Sequence, residues 1–139
     1  MSAISQSLQD AYRATEYRVL APDAFTLRIG TKSDALLDLY RYSGAREAAF
    51  LTAWNPFSVD ASEEQNRSAQ ALLVERLAKI GATALPGLGI DPASGHPGEE
   101  SVLALGVPRD VAIRIAQDFQ QNALVWIGPE AIPELILLQ

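Results

Sequence analysis

The chain has 139 residues, of which 48% are hydrophobic and 20% charged; this is about one domain's worth of ordinary globular sequence and excludes a disordered polymer. Its formal net charge of −6 argues against nucleic-acid binding. With no cysteine and one histidine, disulfides, thiolate zinc sites, Cys nucleophiles and two-His metal motifs are excluded. Met1–Leu8 is polar and lacks the segments of a signal peptide, and no apolar run approaches the roughly 20 residues of a membrane span. The expectation is one soluble, cytoplasmic, bacterial-type domain over residues 1–139 with no membrane partner.

Ser5 to Ala14 reads as a short helix with Leu8, Ala11 and Tyr12 on one side. Glu16–Leu20 and Phe25–Ile29 read as a hairpin joined by Ala21-Pro22-Asp23-Ala24, the second strand alternating Phe25, Leu27 and Ile29 with polar residues. Ser33 can cap a helix to Ser43, with Leu36, Leu39 and Tyr40 inward and Gly44 as its stop. Ala48–Trp54 is apolar on both faces and so predicts a central strand. Ser62–Ile80 is the best-marked helix. Ser62 and Gln65 form a capping box, Glu63 and Glu64 stand in the first turn, and Arg76 and Lys79 in the last. Ala69, Leu72, Leu73, Leu77 and Ile80 make its expected core stripe.

The segment from Leu85 to Gly98 is rich in Gly and Pro and predicts a long, exposed, mobile loop. Ser101–Leu105 is a short apolar strand. Pro108 opens a helix to about Gln121, Ala123–Ile127 is a second strand apolar on both faces, and Leu135–Leu138 is a final strand or a helical turn. Helices and strands interleave but include a hairpin. The expected class is α+β or α/β, with a mixed sheet of about five or six strands covered by three to four helices.

Six polar places are not explained by core packing alone. Asn55 ends a buried strand and precedes Pro56, which biases it away from the helical region; its amide either starts a turn or points into a cleft. Asn66 stands on the core stripe one turn inside the long helix, where an amide must be bonded; it clamps the Asn55 loop or contacts a ligand. Glu99 and Ser101 point to one face of an extended chain and Glu100 to the other, so one glutamate faces inward. Glu99 and Glu100 are therefore the candidate general bases or amine anchors. Gln121, in Gln120-Gln121-Asn122, caps or binds. Arg28, on the wetter strand face, pairs with Glu99 or Glu100 or clamps an anion. His96, in the Gly/Pro segment, reads as exposed. The Ser62 helix start could attract an anion. If Asn55, Asn66, Gln121 and a glutamate share one cleft, the Ala48–Trp54 strand must run antiparallel to the strands that follow Glu100 and Asn122, because its marked end is C-terminal and theirs are N-terminal. Gly87-Leu88-Gly89 lacks the remainder of a dinucleotide motif, and no phosphate-binding loop, serine-hydrolase elbow or dense carboxylate cluster is present. No cofactor and no metal is expected.

Thr52–Ser58 (T-A-W-N-P-F-S), Ser62, Asn66, Glu99-x-Ser101 and Phe119–Ala123 (F-Q-Q-N-A) together resemble a small bacterial family of unknown function with a T-A-x-N-P motif. The resemblance runs from about Tyr12 to Leu138 and implies a stand-alone domain, with no activity attached. Two readings follow from the residues. In one, the chain binds or acts on a small polar ligand in a pocket lined by Asn55, Asn66, Ser101, Gln121 and a glutamate. In the other, it is a structural or protein-interaction domain whose amides are loop clamps. A nucleic-acid accessory is a third, disfavoured by charge. The sequence names neither a reaction nor an oligomeric state.

Overall fold

Local signals put most elements where the chain announces them. The computed structural model describes residues 4–138. Ser5 caps α1 (Gln6–Ala14) by accepting from the Leu8 amide at 3.2 Å, and Ser33 caps α2 (Asp34–Ser43) by accepting from the Leu36 amide at 3.1 Å. The capping box of α3 (Glu63–Lys79) is formed in both directions: the Gln65 amide donates to Ser62 Oγ at 3.1 Å and the Ser62 amide to Gln65 Oε1 at 3.2 Å. Helix α4 spans Arg109–Asp118 and ends three residues before Gln121. The strands are β1 (Glu16–Val19), β2 (Phe25–Leu27), β3 (Ala48–Leu51), β4 (Thr83–Ile90), β5 (Glu99–Leu105), β6 (Ala123–Ile127) and β7 (Pro133–Leu137), so the C-terminal segment is a strand and not a turn.

The class is α+β, as expected, but the sheet has seven strands and every pairing is antiparallel rather than mixed. Its order is β2-β1-β4-β5-β3-β6-β7. The difference comes from β4, which occupies residues expected to be loop. Pro86 lies inside it. In an antiparallel strand a residue's N–H and C=O share one edge; the Pro86 carbonyl accepts from the Leu20 amide at 2.9 Å, one residue beyond the last β1 pair, Val19 with Gly87. The missing proline N–H therefore falls where the β1 ladder stops, which is where a sheet tolerates proline. At Gly87 a Cβ would stand 2.9 Å from Phe50 Cε2, so the glycine is required for close packing rather than for a turn. Only Asp91–Gly98 remains as connection between β4 and β5.

Both faces of the sheet are covered. Helices α3 and α4 lie over a core of Ala49, Leu51, Leu73, Leu77, Val102, Ala104, Ile115 and Leu124. Helix α2 covers the opposite face, where Val19, Leu27, Leu36, Tyr40, Phe50, Leu103 and Ile127 meet. The expected α3 stripe needs correction: Leu72 is 59% exposed and Ile80 49%, and the inward line is Asn66, Gln70, Leu73 and Leu77. Leu72 is turned about 100° from Leu73 around the axis, and Ile80 sits at the C-cap, past the last helical residue. Two of the four buried residues of α3 are thus amides. Among the described residues no helix is long and apolar enough to cross a membrane.

Candidate functional site

Strand β3 runs antiparallel to both β5 and β6, as a shared cleft requires. Its C-terminal end therefore lies beside the N-terminal ends of β5 and β6. Thr52 Oγ donates to the Glu100 carbonyl at 2.7 Å and accepts from the Trp54 amide at 3.0 Å, which turns the chain out of the sheet. The next residues form a strained loop. Asn55, Phe57 and Ser58 all have positive φ, at 46°, 54° and 60°, around a 3-10 turn at Pro56–Ser58. Asn55 has left the right-handed helical region, but into the left-handed one rather than into extended backbone. Each such residue costs on the order of 1–3 kcal/mol and persists only where the surroundings impose it.

The surroundings here do so. The Asn55 amide donates to Asn66 Oδ1 at 2.8 Å. Asn55 Oδ1 accepts from Asn66 Nδ2 at 2.9 Å and from the Ala61 amide at 3.0 Å. Asn66 Nδ2 also reaches the Ala61 carbonyl at 3.4 Å. The Phe57 amide donates to the Gln120 carbonyl at 2.6 Å, and Asn122 Nδ2 to Ser58 Oγ at 3.0 Å. Gln121 Nε2 donates to the Trp54 and Phe119 carbonyls, both at 3.3 Å. One turn further along α3, Gln70 Oε1 accepts from the Ala53 amide at 2.9 Å, while its Nε2 is a buried donor with no partner among the described residues.

Against this loop opens a cleft of about 550 Å³, within the range of about 300–1,000 Å³ of small-molecule sites. Asn55, Glu99, Ser101 and Gln121 line it. Asn66 stands behind Asn55 and is 3% exposed, outside the lining. Glu100 is turned to solvent on the other face of β5. Arg28 is not at the cleft; it pairs with Glu16 at 3.1 Å rather than with Glu99 or Glu100. Ser101 Oγ is occupied by the Glu99 carbonyl at 3.0 Å. The polar positions read from the sequence thus divide into Asn66, which holds the loop from behind, Asn55 and Gln121, which hold backbone and also line the cleft, and Glu99, which faces it with a carboxylate.

Among the described residues Glu99 accepts one hydrogen bond, from Asn55 Nδ2 at 3.2 Å, whereas a carboxylate has about four acceptor positions. Burial pushes its carboxyl above the ordinary carboxylate range; the Asn55 bond opposes this, the Asp60 charge adds to it, and His96 opposes it. The sequence marks His96 only as exposed and Trp54 only within the Thr52–Ser58 motif, and it does not mark the aromatic lining as such. Tyr12 of α1, Tyr17 of β1, Phe50 of β3 and Trp54 supply four rings, Tyr17 and Phe50 meeting edge to face at 5.3 Å between centroids. Tyr12 OH lies 3.3 Å from Ser58 Oγ, and Tyr17 OH donates to the Tyr12 carbonyl at 2.6 Å. Asp91, Ser94, His96, Pro97 and Gly98 form another wall, so the residual β4–β5 loop is exposed yet lies over the site. Gly89, opposite Glu99 in the β4–β5 ladder, lines the cleft at a point where a Cβ would meet Ser101 Oγ, Phe50 Cε1 and Thr15 Cγ2 at ordinary contact distances of 3.8–3.9 Å. Among the described residues no group of three or more His, Asp or Glu side chains is placed to hold a metal ion.

A family model described as Protein of unknown function (DUF3293) matches residues 51–124. The chain belongs to the DUF3293 family. The DUF3293 match begins at the last residue of β3 and ends inside β6, so it contains the strained loop, the α3 amides, Glu99 and Gln121. Helix α1 and strand β1, which bring Tyr12 and Tyr17 to the cleft, lie outside it. No curated protein and no solved structure matches the chain.

Proposed function

We propose that this DUF3293 protein is a binding domain for a small polar ligand, with Glu99 as the group that engages it and Asn55, Asn66 and Gln121 as the clamps that shape the wall. The observation that carries this reading is the Glu99 carboxylate, half-buried in a cleft of about 550 Å³ with one protein donor. A carboxylate taken out of water without full hydrogen bonding costs stability, and such groups concentrate at sites of function. The left-handed residues support it, because strain clusters at ligand clamps. The amides favour the structural reading for themselves: both ends of the Asn66 side chain are spent on the loop. The two readings divide the site between them. Among the described residues the Ser58, Ser94 and Ser101 hydroxyls bond to Tyr12, Asn122 and backbone carbonyls rather than to His96 or a carboxylate, and the reading assigns no reaction.

The test is a screen of small polar fragments by ligand-observed NMR against the wild type and Gly89→Val. The valine methyls project into the cleft from the strand opposite Glu99. Fragments are expected to bind the wild type and to lose binding in the variant while both melt cooperatively. A screen in which no fragment distinguishes the two would remove the pocket reading.

A further inference from the structure

We propose that the cleft takes an organic cation, its ammonium group held by Glu99 among the rings of Tyr12, Tyr17, Phe50 and Trp54. The inference rests on the pocket reading above and adds the sign and class of the ligand. Among the described residues three carboxylates line the cleft, from Asp60, Asp91 and Glu99, and no lysine or arginine does; His96 is the one such side chain that can turn positive. Arg18 of β1 and Arg28, just past β2, both pair with Glu16, and Arg13 of α1, whose charge reaches Tyr17, is exposed and outside the lining. An anionic ligand would be buried beside three like charges, with His96 as the one basic side chain of the lining among the described residues. The start of α3 repels it, since Ser62 takes the Gln65 amide and the first turn carries Glu63 and Glu64.

A cation meets the opposite situation. Glu99 has acceptor positions to spare, Asp60 adds to the field at it, and aromatic faces attract ammonium groups through their quadrupoles. A metal ion would need several oxygen ligands at close range, and no such group exists among the described residues. Four rings and a cavity of this volume suit an ammonium carried on a carbon skeleton.

The experiment uses three probes of one shape and different charge: benzylammonium, benzyl alcohol and benzoate. Binding is read from Trp54 fluorescence in the Trp126→Phe background, which leaves Trp54 as the only tryptophan, and confirmed by ligand-observed NMR on the wild type. Benzylammonium is expected to bind about tenfold or more tightly than benzyl alcohol, with benzoate weakest. Glu99→Gln should remove that advantage, bringing benzylammonium to within about threefold of benzyl alcohol on the same variant. Equal or tighter binding of the alcohol or of benzoate overturns the cationic assignment and leaves the pocket standing. A preference for benzylammonium that survives Glu99→Gln also overturns it, since the charge would then be read elsewhere. Binding of none of the three removes the pocket reading with it.

Discussion

Asn66 and Glu99 touch the same residue, Asn55, and have opposite effects on stability. Asn66 supplies the acceptor for the Asn55 amide and a donor for its Oδ1. Asn66→Leu suits the helix but orphans the Asn55 amide, so a loss of about 1–3 kcal/mol is expected in urea melts; stability at or above wild type would show that the loop does not depend on the clamp. Glu99 carries a penalty instead. Its folded pKa is raised, so the native state holds more protons than the unfolded chain between the ordinary carboxylate range and the folded value, and stability falls as pH rises through that window. Glu99→Gln keeps an acceptor for Asn55 Nδ2 and cannot ionise. It is expected to melt above wild type near neutral pH, the difference closing below about pH 4; a variant that melts lower near neutrality would contradict the burial argument. The neighbouring glycines separate fold from site in the same way. Gly87→Ala drives a methyl to 2.9 Å from Phe50 and should cost about 1–3 kcal/mol. Gly89→Ala meets only ordinary contacts at 3.8–3.9 Å, so calorimetry should find it within about 1 kcal/mol of wild type.

The elements around the cleft are not held equally. Strand β3 is buried at every position, while α1 has no buried residue along its length and turns Leu8, Ala11, Tyr12 and Thr15 to the cavity. The Asp91–Gly98 loop is held mainly by its own turn: Asp91 accepts from the Ala93 and Ser94 amides, and the Ser94 hydroxyl from the His96 amide. Limited proteolysis should cut between Asp91 and Gly98, with Leu85–Ile90 protected by its ladders on both sides; early cleavage within Leu85–Ile90 would contradict the strand. The sequence is legible here in proportion to how local the cause is. Caps, the capping box and the doubly apolar strands depend on neighbours a few residues away, and they are where the pattern places them, except that β3 stops at Leu51 rather than Trp54 because Thr52 turns the chain out of the sheet. Strand β4 is not legible, because Pro86 and Gly87 read as breakers until Leu20 and Phe50 are beside them. Gln70 was within reach, at i+4 from Asn66 on the same face, but the leucines of α3 drew the stripe toward Leu72. The amides and Glu99 are visible as polar residues in apolar surroundings. The four rings that share their cleft are not, since an aromatic side chain reads as core until a cavity opens next to it.

Across the whole molecule, the net charge of −6 places the cleft in a field of its own sign. Salt screens such fields, the Debye length falling to about 3 Å at 1 M. Benzylammonium binding should weaken several-fold between low salt and about 1 M sodium chloride while benzyl alcohol binding stays level; a flat response for both would place the interaction outside electrostatics. The sheet carries a second whole-molecule property. Glu99 faces Gly89 and the cavity because of the β4–β5 register, in which the next pair, Glu100 with Leu88, points the other way. Side chains alternate with a period of two, so a slip of one residue exchanges the faces. The site therefore has a parity. A lineage of this chain can lengthen or shorten the turn between Asp91 and Gly98 by any number of residues, because Glu99 stays tied to Ser101. A single residue gained between Glu99 and Ser101 would carry the carboxylate out to solvent, and only a change by an even number would restore its side.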